Sequence, residues 1–278
     1  MKIFEIIEKL ENWHAPLDHP DHTADSVKCG DGSLDCTGIA VTVCVTVDVI
    51  RKAIDQGCNL IIGHEPVFYG DPEYAPSLEN DPVYLEKKKL LDENNIVVYR
   101  DHDHMHGPGG PMAKVHTEID YIYYGIMKQL GWEPYRIGEE TKPLWYQIPK
   151  TTVRELAGTL LQEFDLTGAR IVGSLDGEVS TVFLCEHVQG RPNDYETIAK
   201  AAKADVMIPL EIVDWTLTSY VRDACQLGGH KAIIEMGHFN TEELGMEYMA
   251  KLLPEILGVE IPVKFIKSGD AYRYIVRG

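Results

Sequence analysis

The sequence predicts an α/β protein of two intimately packed α/β lobes with largely parallel sheets, and three observations predict it. Short runs rich in β-branched residues alternate with amphipathic segments along the 278 residues. The run Cys58–Ile62 lies between Gly57 and Gly63, as an interior strand of a parallel sheet does. Clusters of His, Asp and Glu follow directly on three predicted strands, where open α/β sheets bind ligands because loops, not core, line the crevice there. No low-complexity linker divides the chain. The lobes are therefore expected at about residues 1–135 and 136–278, packed closely together.

The elements follow in order. Ile3, Phe4, Ile6, Ile7 and Leu10 alternate with charges, which is an amphipathic helix and not a signal peptide's continuous apolar core. Ala15 to Asp35, rich in His, Asp, Gly and Pro, reads as a long irregular surface loop; His14, His19 and His22 are candidate ligands there by residue type alone. Gly38 to Val47 reads as a buried strand, with Asp48 capping a helix from Val49 to Gln56 that leads into Cys58–Ile62. That is a right-handed βαβ unit. His64 and Glu65 come straight off its second strand and Pro66 ends the pairing. An imidazole beside a carboxylate suits a borderline divalent cation such as zinc, manganese or iron(II).

Asp81 and Pro82 open a helix over Asn80 to Asn94, and Ile96 to Tyr99 is the next interior strand. At its end stand Asp101, His102, Asp103, His104 and His106. In an extended segment, alternation would put His102, His104 and His106 on one side and Asp101 and Asp103 on the other. Thr117 to Leu130 reads as a helix ended by Gly131, its Tyr121, Tyr123 and Tyr124 belonging to core or interface. Leu144 to Ile148 is a strand, and Thr152 with Glu155 forms a capping box for a helix to Phe164. Strands at Ala169 to Gly173 and Thr181 to Cys185 alternate with helices at Asp194 to Lys203 and Asp214 to Leu227. Ala232 to Met236 is the last strand. Gly237 allows a tight turn, and Asn240 or Thr241 caps a helix to about Leu253. The spacing of His238 and Glu242 puts both on one face if that turn is already helical.

Composition narrows the function classes. A formal charge of -18 and no basic run disfavour nucleic acid, whose phosphates need Lys/Arg contacts. No apolar run is long enough to span a bilayer. The six cysteines form no CxxC pair and no disulfide framework is expected. With no export signal, this points to the cytoplasm.

With GHEPVF, YRDHDHMH and MGHFNTEE at three strand ends in this order, the chain resembles the NIF-three-like family (NGG-one-interacting factor three), some bacterial members of which carry the label GTP cyclohydrolase I type 2. The resemblance covers nearly the whole chain. It implies two related α/β lobes around a dinuclear metal centre, assembled as a toroidal hexamer, without the inserted middle domain of larger members. It also implies His64, Glu65, His106, His238 and Glu242 as ligands. Two positions depart from the family pattern: Glu65 stands where the family has the second His before proline, and His106 where it has an Asp. The exchanges are opposite, so three imidazoles and two carboxylates remain. The residues themselves leave open which of His102, Asp103, His104 and His106 touches a metal; the others would orient ligands or move a proton. The family's later glycine-rich stretch is altered to EHVQG around His187.

Two divalent ions per chain are expected, zinc foremost, with manganese or iron as alternatives. Ions about 3.5–4 Å apart would lower the pKa of a shared water and clamp a substrate oxygen, which makes metal-assisted hydrolysis of an unknown small molecule the expected chemistry. No GxxxxGK loop supports GTP binding independently. The rival expectation is a metal-stabilised oligomeric scaffold whose ions only hold structure, each in a closed four-ligand shell.

Overall fold

Helix α1 (Ile3–Trp13) buries Ile3, Ile6, Ile7 and Leu10, one face of its turns, as the amphipathic pattern requires. The structure is a computed structural model that describes residues 1–18, 20–70, 76–107, 119–258 and 260–275. The chain separates into two units, residues 1–126 with 243–268, and residues 127–242 with 269–278.

In the first unit β1 (Ser26–Cys29), β2 (Ile39–Thr42), α2 (Val47–Asp55), β3 (Leu60–Gly63), α3 (Pro82–Glu93), β4 (Val97–Arg100) and α4 (Tyr121–Gln129) follow α1, with α4 running past residue 126 into the second unit. β3 pairs in parallel with β2 on one side and β4 on the other. All four of its residues are buried, which explains a continuous apolar run where a one-sided strand would alternate. Val49, Ile50, Ala53, Ile61, Leu91 and Val98 join one core cluster between the sheet and its helices.

Two expectations change here, and a third falls outside the described residues. The stretch expected to be loop contains β1, which pairs antiparallel with β4 through Val27 and Tyr99. Its sequence SVKC alternates weakly, and as an edge strand it needs no apolar run. The helix after β2 is capped by Thr46, whose hydroxyl accepts from the Val49 amide, and not by Asp48; the strand stops at Thr42 and the helix starts earlier than expected. Thr117, the expected start of α4, lies outside the described residues; α4 is described from Tyr121. Of its tyrosines, Tyr123 is buried in the core and Tyr124 contacts Tyr248.

The second unit holds β5 (Trp145–Thr152), α5 (Val153–Phe164), β6 (Arg170–Gly173), β7 (Glu178–Cys185), α6 (Asp194–Ala201), β8 (Val206–Pro209), α7 (Ser219–Gln226) and β9 (Ala232–Glu235). The Thr152–Glu155 capping box opens α5 with both reciprocal bonds made. β7, β8 and β9 pair in parallel, while β5 and β6 are antiparallel edges. The sheet order is β5-β7-β8-β9-β6. The central strand β8 is absent from the sequence reading, because four apolar residues ending in proline lack the length that marks a strand. A kinked turn, Asp214–Thr218, precedes α7, with Thr216 outside helical geometry at φ -100° and ψ -115°, so the helix expected from Asp214 starts only at Ser219.

Helix α8 (His238–Leu257) and β10 (Val263–Phe265) complete the described elements, β10 adding a fifth strand to the first unit's sheet beside β2. α8 begins at His238, ahead of the expected cap at Asn240 or Thr241. Gly237, at φ +99°, reverses the chain directly after β9, so the helix starts at once. Asn240 and Thr241 instead reach back, donating to the carbonyls of Met236 and Gly237 at 2.8 Å each. The fold is thus α/β with two mostly parallel five-stranded sheets. The six cysteines are all free thiols. Among the described residues no helix is long and apolar enough to cross a membrane.

Candidate metal centre

The end of β3 is fixed by hydrogen bonds to one atom. The amides of His64 and Glu65 both donate to the Val43 carbonyl, at 3.1 and 2.9 Å, just past the end of β2. Both side chains are buried. His64 Nδ1 meets the Asp101 carbonyl at 3.0 Å, a contact only an N–H can make favourably, so the ring's lone pair sits on Nε2.

Beyond β4 the chain is a turn and not an extended segment. His106 N–H donates to the His102 carbonyl at 3.2 Å, an α-type step. Residues four apart therefore share a face, and alternation does not apply. His102 and His106 come together with His64, each offering a nitrogen within 4.8 Å of the others. His104 turns elsewhere, its Nδ1 lying 2.6 Å from Asp25. Asp103 stands behind His102, with Oδ1 2.8 Å from that ring's Nδ1. Burial works against the charge on Asp103, but donors from His102, the Ala24 amide and the Thr23 hydroxyl outweigh it and hold the carboxyl well below its usual range. Asp120 takes the same place behind His106, at 3.2 Å.

Asp25, carried in by β1, braces this turn. Its carboxylate accepts from the amides of His102, Asp103 and His104 at 2.7, 2.8 and 2.9 Å. Against the penalty of burial, those bonds and His104 lower its pKa. Burial likewise works against a charged His104, but the Asp25 carboxylate prevails and raises the imidazole's pKa.

In the second unit His238 Nε2 lies 3.2 Å from a Glu242 oxygen, one turn along α8, and Glu242 is fully buried. Glu211, just beyond β8, holds His238 Nδ1 at 3.2 Å and His187 Nδ1 at 3.3 Å. Contacts from His187 and then His238 pull its carboxyl well below the usual range, against burial. Among the described residues His187, Glu211 and His238 form a second group with metal-ligand spacing. Sequence reasoning missed Glu211 because it missed β8; the signal was a carboxylate directly after VMIPL. It named His187 only as an altered position. Of the N-terminal histidines, His22 is exposed in a short 3-10 turn, His14 is buried against Asp101, and His19 lies outside the described residues.

The chain matches the family model Duf34/NIF3 (NGG1p interacting factor 3) over residues 1–270. It belongs to the Duf34/NIF3 family. Similar relatives include two proteins named GTP cyclohydrolase 1 type 2 homolog. The one from Clostridium acetobutylicum is 23% identical, with 99% of each chain covered. The one from Clostridium perfringens is 25% identical, covering 98% of this chain and 97% of its own. The crystal structure of a Bacillus cereus protein related to NIF3 has the same fold, with TM-score 0.69 and 18% identity over 99% of both chains. Family membership and fold thus agree with the resemblance carried by the three strand-end motifs.

Proposed function

We propose that this Duf34/NIF3 protein binds two divalent ions per chain, zinc foremost, with His64, Glu65, His106, His238 and Glu242 as ligands, and that it is a metal-dependent hydrolase of a small molecule. One observation carries the reading. His64, His102, His106 and His238 each have Nδ1 against an oxygen: the Asp101 carbonyl, Asp103, Asp120 and Glu211, respectively. A histidine whose Nδ1–H is held by an oxygen presents the Nε2 lone pair in a fixed direction, the arrangement metal sites use to set tautomer and basicity. The donor set of imidazoles and carboxylates suits zinc, manganese or iron(II).

Bound divalent ions supply Lewis acidity and lower the pKa of water. The chain's own residues do the rest. Asp103 and Asp120 orient His102 and His106, and His102, beside the ligands, is placed to hold a proton. The names of the clostridial relatives suggest a nucleotide ring opening as one such hydrolysis. A homo-oligomeric ring, as the family resemblance implies, and a cytoplasmic location, from the cysteine spacing and lack of an export signal, complete the reading. Light scattering on the purified protein tests the assembly.

The deciding experiment is elemental analysis after mild dialysis. Two or more equivalents of metal per chain is the expected result; less than about half an equivalent, with no uptake of added zinc or manganese, overturns the reading.

A further inference from the structure

The first unit contains a second group of buried ligand types that the proposed centre leaves unused. Asp25, Asp101 and His104 each offer an oxygen or nitrogen within 4.8 Å of the other two. They come from two parts of the chain: β1 carries Asp25 to the turn that follows β4, and that turn supplies Asp101 and His104. A fourth residue flanks them. The His14 ring stacks on His104 at 5.0 Å between centroids, and its Nε2 lies 3.3 Å from Asp101 Oδ2.

Asp25 is accounted for by the turn it braces, but Asp101 is not. Its side chain is fully buried, and Oδ1 has no hydrogen-bond donor. His14, itself buried, leaves Nδ1 without a partner as well. A carboxylate oxygen taken out of water without a donor is costly, and a second carboxylate close by adds repulsion. Native proteins keep such an arrangement where something positive completes it. A divalent cation at this point offsets both carboxylates at once and supplies the ligand that the buried Asp101 Oδ1 lacks.

We infer that Asp25, Asp101 and His104, flanked by His14, form a separate site for a first-row divalent cation. Two carboxylates and an imidazole make a mixed oxygen and nitrogen set, which favours zinc, manganese or iron(II) over calcium or magnesium. The cation takes the place of the proton shared between His104 Nδ1 and Asp25 Oδ2, which is released to solvent. Asp25 keeps its backbone donors, so the same carboxylate ties the ion to the turn that carries His102 and His106. This site does not depend on the function proposed above.

Cobalt(II) is the probe, added to metal-stripped full-length protein and followed by visible absorption, with elemental analysis after gel filtration. The background is His64→Ala with His238→Ala, which takes one imidazole from the His64, His102 and His106 group and one from the His187, Glu211 and His238 group. Asp101→Asn and His104→Gln are tested against that parent. Asn keeps the shape of Asp101 without its charge, and Gln keeps an N–H for Asp25, so His104→Gln reports even where Asp101→Asn fails to fold by circular dichroism. The expected result is one equivalent of cobalt in the parent, with affinity lowered roughly tenfold or more in each folded variant. No cobalt bound by the parent overturns the inference, and so does unchanged affinity in either folded variant. Failure of the proposed centre reads differently: His238→Ala alone would then leave the metal content of the otherwise unmodified chain unchanged.

Discussion

Gly63, the last residue of β3, should not tolerate even one methyl group, and Val45 is the reason. A Cβ built on Gly63 would lie 2.6 Å from Val45 Cγ2, with no other contact within 4 Å. Carbon atoms pack at about 3.5–4.0 Å, so about 1 Å of movement is required. The β3 backbone has little freedom to supply it. Gly63 is paired with Thr42 on one side and Arg100 on the other, and its carbonyl accepts from the Asp101 amide at 2.9 Å. The strain therefore falls on Val45, two residues from the carbonyl that fixes His64 and Glu65. Overpacking of this kind costs about 1–3 kcal/mol. Val45→Ala alone removes two buried methyl groups and should cost about 2 kcal/mol. In Gly63→Ala/Val45→Ala the new methyl occupies space that the valine has vacated, so the double variant should fall short of the summed cost by about 1–2 kcal/mol. Urea unfolding of all four proteins in excess chelator measures the cycle without a metal contribution. A double variant destabilised by the full sum, or by more, would refute this packing argument.

Further predictions concern the ligands, the carboxylate behind them and one thiol outside the site. If Glu65 and His106 serve the same ions, Glu65→His and His106→Asp each shift the ligand charge by about one unit, and the pair should bind zinc better than the singles imply, by about 0.5–3 kcal/mol in chelator competition; purely additive losses would separate the two positions. Glu211→Gln removes the carboxylate behind His187 and His238 and should lower metal affinity about 10–100-fold, with His238→Ala more damaging than His22→Ala. Because the Glu211 carboxyl is depressed below its ordinary 4.5, its stabilisation is present above that pH and is lost as pH falls through the folded value, so wild type and Glu211→Gln should converge in acid; a gap that widens in acid would contradict the ion-pair assignment. Burial pushes the Cys36 thiol up to about 11, so at pH 8 only about one molecule in a thousand is thiolate, and alkylation should be far slower than for a free thiol.

The parts of the fold legible in the sequence are those where local chemistry and burial agree. β3 announces itself because a strand buried on both faces can be continuously apolar, and α3 because Asp81 and Pro82 satisfy its first turn before any packing is known. Thr152 and Glu155 do the same for α5. What stayed hidden depends on partners distant in the chain. β1 is a strand only because β4 offers it an edge, and Asp25 becomes the brace of the second ligand turn only through that pairing. Glu211 was hidden for a related reason: β8 is too short to be seen alone, yet as the centre of its sheet it sets Glu211 beside a histidine 27 residues away.

The same spacing was read as helical at one motif and as extended chain at another, where it wrongly set His104 beside His102 and His106, and the difference is physical. His238 and Glu242 stand four apart and meet at 3.2 Å, because Gly237 turns the chain straight into α8. His102 and His106 also stand four apart, and they too share a face, with ring centroids 4.9 Å apart. The dense polar sequence next to a strand suggested extended chain. A single α-type turn suffices, because Asp25 satisfies the three amides at its start, as a capping residue does at the head of a helix. The turn's geometry, and with it the choice of His102 and His106 over His104 as neighbours of His64, is thus decided by a carboxylate 77 residues upstream of His102. Asp25→Ala should accordingly free His104 and loosen His102 and His106 together, and metal affinity at His64 should fall although Asp25 touches none of the His64, His102 and His106 rings. A loss confined to the Asp25, Asp101 and His104 group, with binding at His64 intact, would show that the turn holds itself.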